Sequence, residues 1–208
     1  EQALKENRVK ALVATSALGM GFDKPDLGFV VHLGAPSSAV SYYQQIGRAG
    51  RGAVNADVLL LPGREDRAIW EYFATASMPN EEQALAVLDA LAHSPEGLSV
   101  TALEARVQLR RSTLELLLKV LDVEGAAVKE GNYWRRTSSP WQYDSARYAA
   151  VAQARVVEQN AMLEYERTSQ CRMLFLAQQL DDDSATACGR CDVCAGPWDP
   201  VEVPAEAQ

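Results

Sequence analysis

Two groups of residues have types and spacings that can do chemistry. The first is the run YYQQIGRAGRG, Tyr42 to Gly52, which sets Arg48 and Arg51 three residues apart among Gly47, Gly50 and Gly52. Guanidinium groups are planar, permanently charged and shaped for bidentate phosphate contacts. Neighbouring glycines let the backbone turn sharply or approach a ligand closely. The combination suits the stabilisation of charge on a phosphoryl group in transfer. The second group is the four cysteines, Cys171, Cys188, Cys191 and Cys194, in the pattern C-x16-C-x2-C-x2-C. The last three fit a tight turn that aims their sulfurs at one point, and the first arrives from a preceding helix. Four thiolates suit a closed, structural Zn²⁺ site with Zn–S distances of about 2.3 Å. An iron–sulfur cluster is the rival, since C-x2-C-x2-C also occurs in ferredoxins, but there the fourth cysteine follows closely and precedes a proline. A disulfide is disfavoured in a reducing compartment. A redox C-x-x-C wants a strand before it and a helix after it.

The elements that must position these groups fall into three organisations. Up to residue 77, strands alternate with helices. Val9 to Thr15, Gly28 to Leu33 and Ala56 to Leu61 read as short buried strands rich in Val, Leu and Phe. Ser37 or Ser38 caps a helix through Tyr42–Ile46, and a second helix spans Glu65 to Ala74. This alternation predicts a parallel α/β sheet. Three strands are few for a free-standing domain, and the chain opens Glu-Gln-Ala-Leu-Lys with no initiator methionine or signal pattern, so the expectation is a piece of something larger.

From residue 78 to 140 the pattern predicts a helix over Glu81 to Ala92, a short helix capped by Ser99 and running to about Val107, and a third capped by Ser112 and ended by Gly125, with Leu114, Leu117, Leu118 and Leu121 inside. A hairpin around Glu130-Gly131-Asn132 follows. Three helices and a hairpin match a winged helix, a helix-turn-helix variant. The third helix is then the recognition helix, with Arg110 and Arg111 at its start. Lys129 and Arg135 of the hairpin join them as candidate DNA contacts; a helical spacer with solvated charges is the alternative. Residues 141 to 197 read as a helical zinc-binding module, entered by a long helix from Asp144 that breaks near Thr168-Ser169, and residues 198 to 208 as a disordered tail.

The net charge of −8 argues at first against a nucleic-acid partner. However, Asp181 to Gln208 alone holds seven acidic residues and one arginine. Between Arg106 and Arg136 the balance is basic, and local charge decides groove contacts. No run is long enough to span a bilayer, and a cytoplasmic location is the default.

Three stretches carry a family resemblance. ATSALGMGFDKPD, Ala14 to Asp26, resembles helicase motif V; YYQQIGRAGR resembles motif VI; and the cysteine spacing resembles the zinc module of RecQ-family (superfamily two) DNA helicases. The resemblance implies an α/β partial RecA-like domain over residues 1 to 77, then the winged-helix-like α+β domain and the small helical zinc-binding module, in a divergent RecQ-like branch. In such enzymes two RecA-like domains clamp ATP and Mg²⁺. This chain would supply the second and need the missing N-terminal RecA-like domain in cis, with its phosphate-binding loop, so alone it would not hydrolyse ATP. Arg48 and Arg51 would be the catalytic arginines reaching the phosphates. Gly21, Asp23, Gln44 and Gly47 would lie near the nucleotide, Asp23 toward the ribose, with Gln44 coupling ATP state to DNA. Thr15 and Ser16 would touch the DNA backbone. The implied activity is 3′–5′ unwinding of duplex DNA, with single strands and duplex junctions as partners, in repair or recombination and near the nucleoid if bacterial. One departure stands out: the family usually places its zinc module before the winged helix, whereas here the cysteines come after it. The competing reading is a non-catalytic zinc and winged-helix module, binding DNA or protein, on a degenerate ATPase domain.

Overall fold

The computed structural model describes residues 1–15, 23–53, 55–76 and 78–197. In chain order the elements are α1 (Gln2–Lys5), β1 (Phe29–Leu33), α2 (Ala39–Ile46), β2 (Asp57–Leu61), α3 (Asp66–Ala76), α4 (Glu81–Ala92), α5 (Val100–Val107), α6 (Arg111–Val123), β3 (Ala127–Glu130), β4 (Tyr133–Arg136), α7 (Ser145–Arg167), α8 (Arg172–Gln178) and α9 (Asp192–Ala195). They form two compact units. One combines Glu1–Trp70 with Ala154–Gln208, and the other is Glu71–Gln153.

In the first unit β1 and β2 pair in parallel, with Phe29 opposite Asp57 and Leu33 opposite Leu61. A parallel pair needs a crossover, and α2 lies within it. Side chains alternate across a strand. His32 faces α2, where its Nε2 lies 2.8 Å from Gln45 Oε1 and its ring meets Tyr42 edge-on at 5.1 Å. The opposite face, with Phe29, Val31, Leu33, Leu59 and Leu61, is exposed. The core beneath α2 joins Tyr42, Ile46 and Trp70 to Met162, Tyr165, Phe175 and Leu176 from α7 and α8. The cysteine-bearing end of the chain therefore packs on the α/β segment, although some ninety residues of sequence separate them. Asp66 fixes the turn into α3 by accepting from the amides of Ala35 at 2.7 Å and Gly63 at 2.8 Å.

The expected strand over Val9–Thr15 does not form. These residues are exposed, Val13 at 94%, and no strand among the described residues pairs with them. An apolar run becomes a strand only when a neighbour completes its ladder.

In the second unit the apolar stripes of α4 and α6 meet α5 around Leu88, Leu91, Leu103, Leu114, Leu118 and Leu121. Asn80 and Ser99 cap their helices, accepting from the amides of Gln83 at 3.0 Å and Ala102 at 3.2 Å. Ser112 does not cap α6. The helix begins at Arg111, with Arg110 in extended backbone at its N-cap and no side-chain cap bond. An i,i+4 ion pair from Arg111 to Glu115 at 2.9 Å supports that earlier start. The hairpin β3–β4 turns through Gly131-Asn132, with Gly131 at φ +61°, and Trp134 bridges to Leu98. Three helices followed by an antiparallel hairpin is the element order of a winged helix.

Candidate functional sites: an arginine loop and a four-cysteine cluster

The loop that carries the arginines begins where α2 stops. Ser38 starts that helix by accepting from the Ser41 amide at 3.1 Å, and its buried face is Ala39, Tyr42 and Ile46. Gly47 ends it. The next residues are stitched to the segment 25–27. The Gly50 amide donates to the Leu27 carbonyl at 3.0 Å and the Gly52 amide to the Pro25 carbonyl at 2.7 Å. Gly50 has φ +74°, and a Cβ at Gly52 would sit 3.3 Å from the Pro25 carbonyl oxygen, so both positions need glycine's freedom or slimness. The stitching brings Asp23 to Arg51, whose Nη1 donates to Asp23 Oδ1 at 2.9 Å while its Nε donates to the Gly47 carbonyl at 3.1 Å. Arg48 is half-buried and Gln44 is exposed on α2. Thus Asp23, Gly47 and Arg51 are drawn together at one end of α2. Gly21 and Ser16 lie outside the described residues, and Thr15 lies exposed in irregular chain rather than at a strand end.

Chemically this is an exposed guanidinium held in place by a carboxylate and a carbonyl. Exposed pairs of this kind are worth about 0–1 kcal/mol, so a phosphate oxygen can replace the carboxylate at small cost.

The cysteines are placed by the chain's turns. The break after α7 puts Cys171 at the N-cap of α8, and Cys191 occupies the N-cap of α9, which carries Cys194. Gly189, at φ +71°, turns the chain between Cys188 and Cys191. All four Sγ atoms lie within 4.8 Å of one another, and Cys191 Sγ is 3.9 Å from Cys171 Sγ. A tetrahedral site with metal–sulfur bonds of about 2.3 Å requires sulfurs ~3.8 Å apart. The donor set fits a metal ion.

Amides are aimed at the sulfurs, from Cys188 to Cys171 Sγ at 3.2 Å and from Arg172 to Cys191 Sγ at 3.4 Å. Burial opposes ionisation of Cys171, yet the amides of Cys188 and Leu174 and the neighbouring thiols hold its pKa at about 6. Cys191 is likewise opposed by burial and lowered overall, by the amides of Arg172 and Cys194. Cys194 goes the other way, to about 12, because of Cys191 and then Cys171 beside it. Four sulfurs this close cannot all carry charge without a cation among them.

Sequence reasoning missed Arg172 and Asp192. Arg172 grips Asp192 with two nitrogens, Nε at 3.0 Å from Oδ1 and Nη2 at 2.9 Å from Oδ2. It also donates through Nη1 to the Tyr165 carbonyl, and its guanidinium lies 5.5 Å from the Tyr165 ring centroid. The one signal available is that each follows a cysteine directly.

In the second unit Arg110 and Arg111 are both exposed at the start of α6. Lys129 pairs across the hairpin with Trp134, and Arg135 with Val128, so these two cations lie on opposite faces of the hairpin. Lys129 is exposed. Arg135 instead turns back on its own unit, donating to the Pro95 carbonyl at 2.7 Å. Its Nε lies 2.9 Å from Glu130 Oε2, an ion pair by distance without hydrogen-bond alignment.

Among the described residues no helix is long and apolar enough to cross a membrane. The Helicase conserved C-terminal domain model matches residues 1–53, and the IclR helix-turn-helix domain model matches residues 82–131. The ATP-dependent DNA helicase RecQ of Synechocystis sp. is 27% identical over 209 residues, covering 93% of this chain and 40% of that protein. The ATP-dependent DNA helicase RecQ of Bacillus subtilis is 35% identical over 83 residues, 40% of this chain and 14% of the relative. The ATP-dependent DNA helicase Q1 of Pongo abelii is 48% identical over 60 residues, 29% of this chain and 9% of the relative. The chain thus spans at most 40% of the length of these three relatives. With the arginine loop and the cysteine cluster in place, these matches make the chain similar to RecQ-family helicases, most clearly over residues 1–53, where it matches the Helicase conserved C-terminal domain.

Proposed function

We propose that this chain is the arginine-bearing half of an ATP-dependent RecQ-like DNA helicase motor that unwinds duplex DNA in the 3′–5′ direction. The observation that carries the reading is the juxtaposition of Asp23, Gly47 and Arg51 at the end of α2. Arg51 would leave Asp23 for the γ-phosphate as charge develops there, and Arg48 would act beside it. Asp23, once released, would be available to the ribose hydroxyls. Gly21, Gly47 and Gln44 would line the same nucleotide. The phosphate-binding loop and the Mg²⁺-binding acids would come from a first RecA-like domain in cis, so this chain alone would not turn over ATP. A parallel sheet is ordinarily covered on both faces, and the bare apolar face of β1 and β2 supports reading residues 1–77 as part of a larger RecA-like layer.

Zinc is the ion the four cysteines would hold. It would supply a redox-inert crosslink, with no position left open for catalysis. In the second unit Arg110 and Arg111, exposed at the start of α6, would be the recognition-helix cations, and Lys129 would join them on the nucleic acid, whereas Arg135 is engaged within its own unit. The substrates would be single strands and duplex junctions, met in the cytoplasm or at the nucleoid. Strand displacement by the longer protein tests the reading. A duplex with a 3′ single-stranded tail should be opened with ATP and a 5′-tailed one should not. DNA binding without any ATP-dependent opening would instead favour a non-catalytic module on a degenerate ATPase domain.

A further inference from the structure

We propose that Arg172 is a positioning residue that couples the four-cysteine cluster to the arginine-bearing helix α2, through Tyr165 and Tyr42. The proposal rests on the helicase reading for its consequence, but its structural content does not. The chain of contacts is continuous. The Arg172 amide meets Cys191 Sγ at 3.4 Å, and its guanidinium forks onto Asp192, the first residue of α9 between Cys191 and Cys194. The remaining guanidinium nitrogen holds the Tyr165 carbonyl, and the same group covers the Tyr165 ring.

Tyr165 in turn lies against Tyr42, with ring centroids 5.2 Å apart and planes tilted by 54°. Both are buried, at 7% and 2% exposure, so the two rings meet in a close-packed contact inside the core beneath α2. Tyr42 sits on the inner face of α2, less than two turns before Arg48 and at the root of the loop that ends in Arg51. A metal-ordered loop 188–194 fixes Asp192, Asp192 fixes the Arg172 fork, and the fork fixes the ring against which α2 rests. Arginine suits this position because one planar group serves a carboxylate, a carbonyl and a π-face together. Lysine offers one point charge and cannot reproduce the set.

The coupling is testable in the 208-residue chain by hydrogen exchange, with zinc content measured alongside. Removing the metal from the unmodified chain should speed exchange of the Tyr42–Gly47 amides by about tenfold, since a charge-assisted fork is lost. Arg172→Ala should do the same with zinc retained, and Arg172→Lys should not restore protection. Asp192→Asn, an exposed and mild change, should give a smaller effect in the same direction. Unchanged protection of α2 in the metal-stripped chain, or in zinc-loaded Arg172→Ala, overturns the proposal. In the longer protein, Arg172→Lys should lower kcat for ATP while leaving its KM and DNA affinity in place. An unmodified longer protein with no ATPase would defeat the helicase reading but leave the exchange result standing. An active enzyme indifferent to Arg172 would defeat the coupling alone.

Discussion

Replacing Cys188 by serine should release the metal and unfold one end of the chain selectively. The last buried residues among those described are Phe175 and Leu176, and from Gln178 to Pro197 no described residue is buried. Hydrophobic burial therefore cannot order that segment, and on the proposed zinc reading a bound metal would. Structural zinc in small sites contributes about 10–16 kcal/mol to folding, which corresponds to dissociation constants of roughly 10⁻⁷ to 10⁻¹² M. The unmodified chain should keep about one zinc through extensive dialysis, whereas Cys188→Ser should lose it. Limited proteolysis should then cut between Gln179 and Pro197. The core around Leu118 holds no cysteine and should keep its slow amide exchange. A Cys188→Ser chain that keeps its metal, or a metal-free segment that resists protease, would refute the reasoning. Iron with visible absorbance in the purified chain would replace zinc by a cluster.

Three further outcomes follow from local geometry. Gly97 has φ +82°, and an added Cβ would lie 2.9 Å from the Trp134 carbonyl oxygen, so Gly97→Ala should cost at least about 1 kcal/mol in denaturant unfolding. Glu166 has its pKa raised by burial and then by Asp66, with Arg167 opposing. Its charged form is therefore penalised in the fold, and the native state holds the proton more tightly than the unfolded chain. Glu166→Gln should stabilise the protein at pH 7, with the gain fading as pH falls through the raised pKa toward 4.5, followed by thermal melts across pH. Asp23→Asn frees Arg51 from an exposed pair worth at most about 1 kcal/mol, so the KM for ATP in the longer protein should move by less than about fivefold.

Much of the local structure was legible in the sequence because it depends on residues close together. Ser38 before an apolar i, i+3, i+7 face gave α2, and Gly131-Asn132 between alternating residues gave the hairpin. The cysteine spacing was enough to foresee four convergent sulfurs. Features that depend on distant partners were not legible. Val9–Thr15 is apolar enough for a strand, but a strand exists only with a neighbour. The helix α6 started before Ser112 because Arg111 could pair forward with Glu115. Nothing in the order of the chain announces that α7 and α8 return to cover α2, which sets the cysteines against the α/β segment despite the helix-turn-helix between them. Arg172 and Asp192 escaped notice for the same reason, since their meeting is made by the fold rather than by spacing.

In the proposed motor, Arg51 would act on a nucleotide held across a domain boundary. The most direct measurement of that role is DNA-stimulated ATP hydrolysis by the longer protein, unmodified and as Arg51→Ala. An arginine that stabilises the transition state is worth about 10³-fold or more in kcat. The account predicts a loss of that size with DNA affinity unchanged. Equal loss of ATP turnover and DNA binding, or turnover indifferent to Arg51, would contradict it.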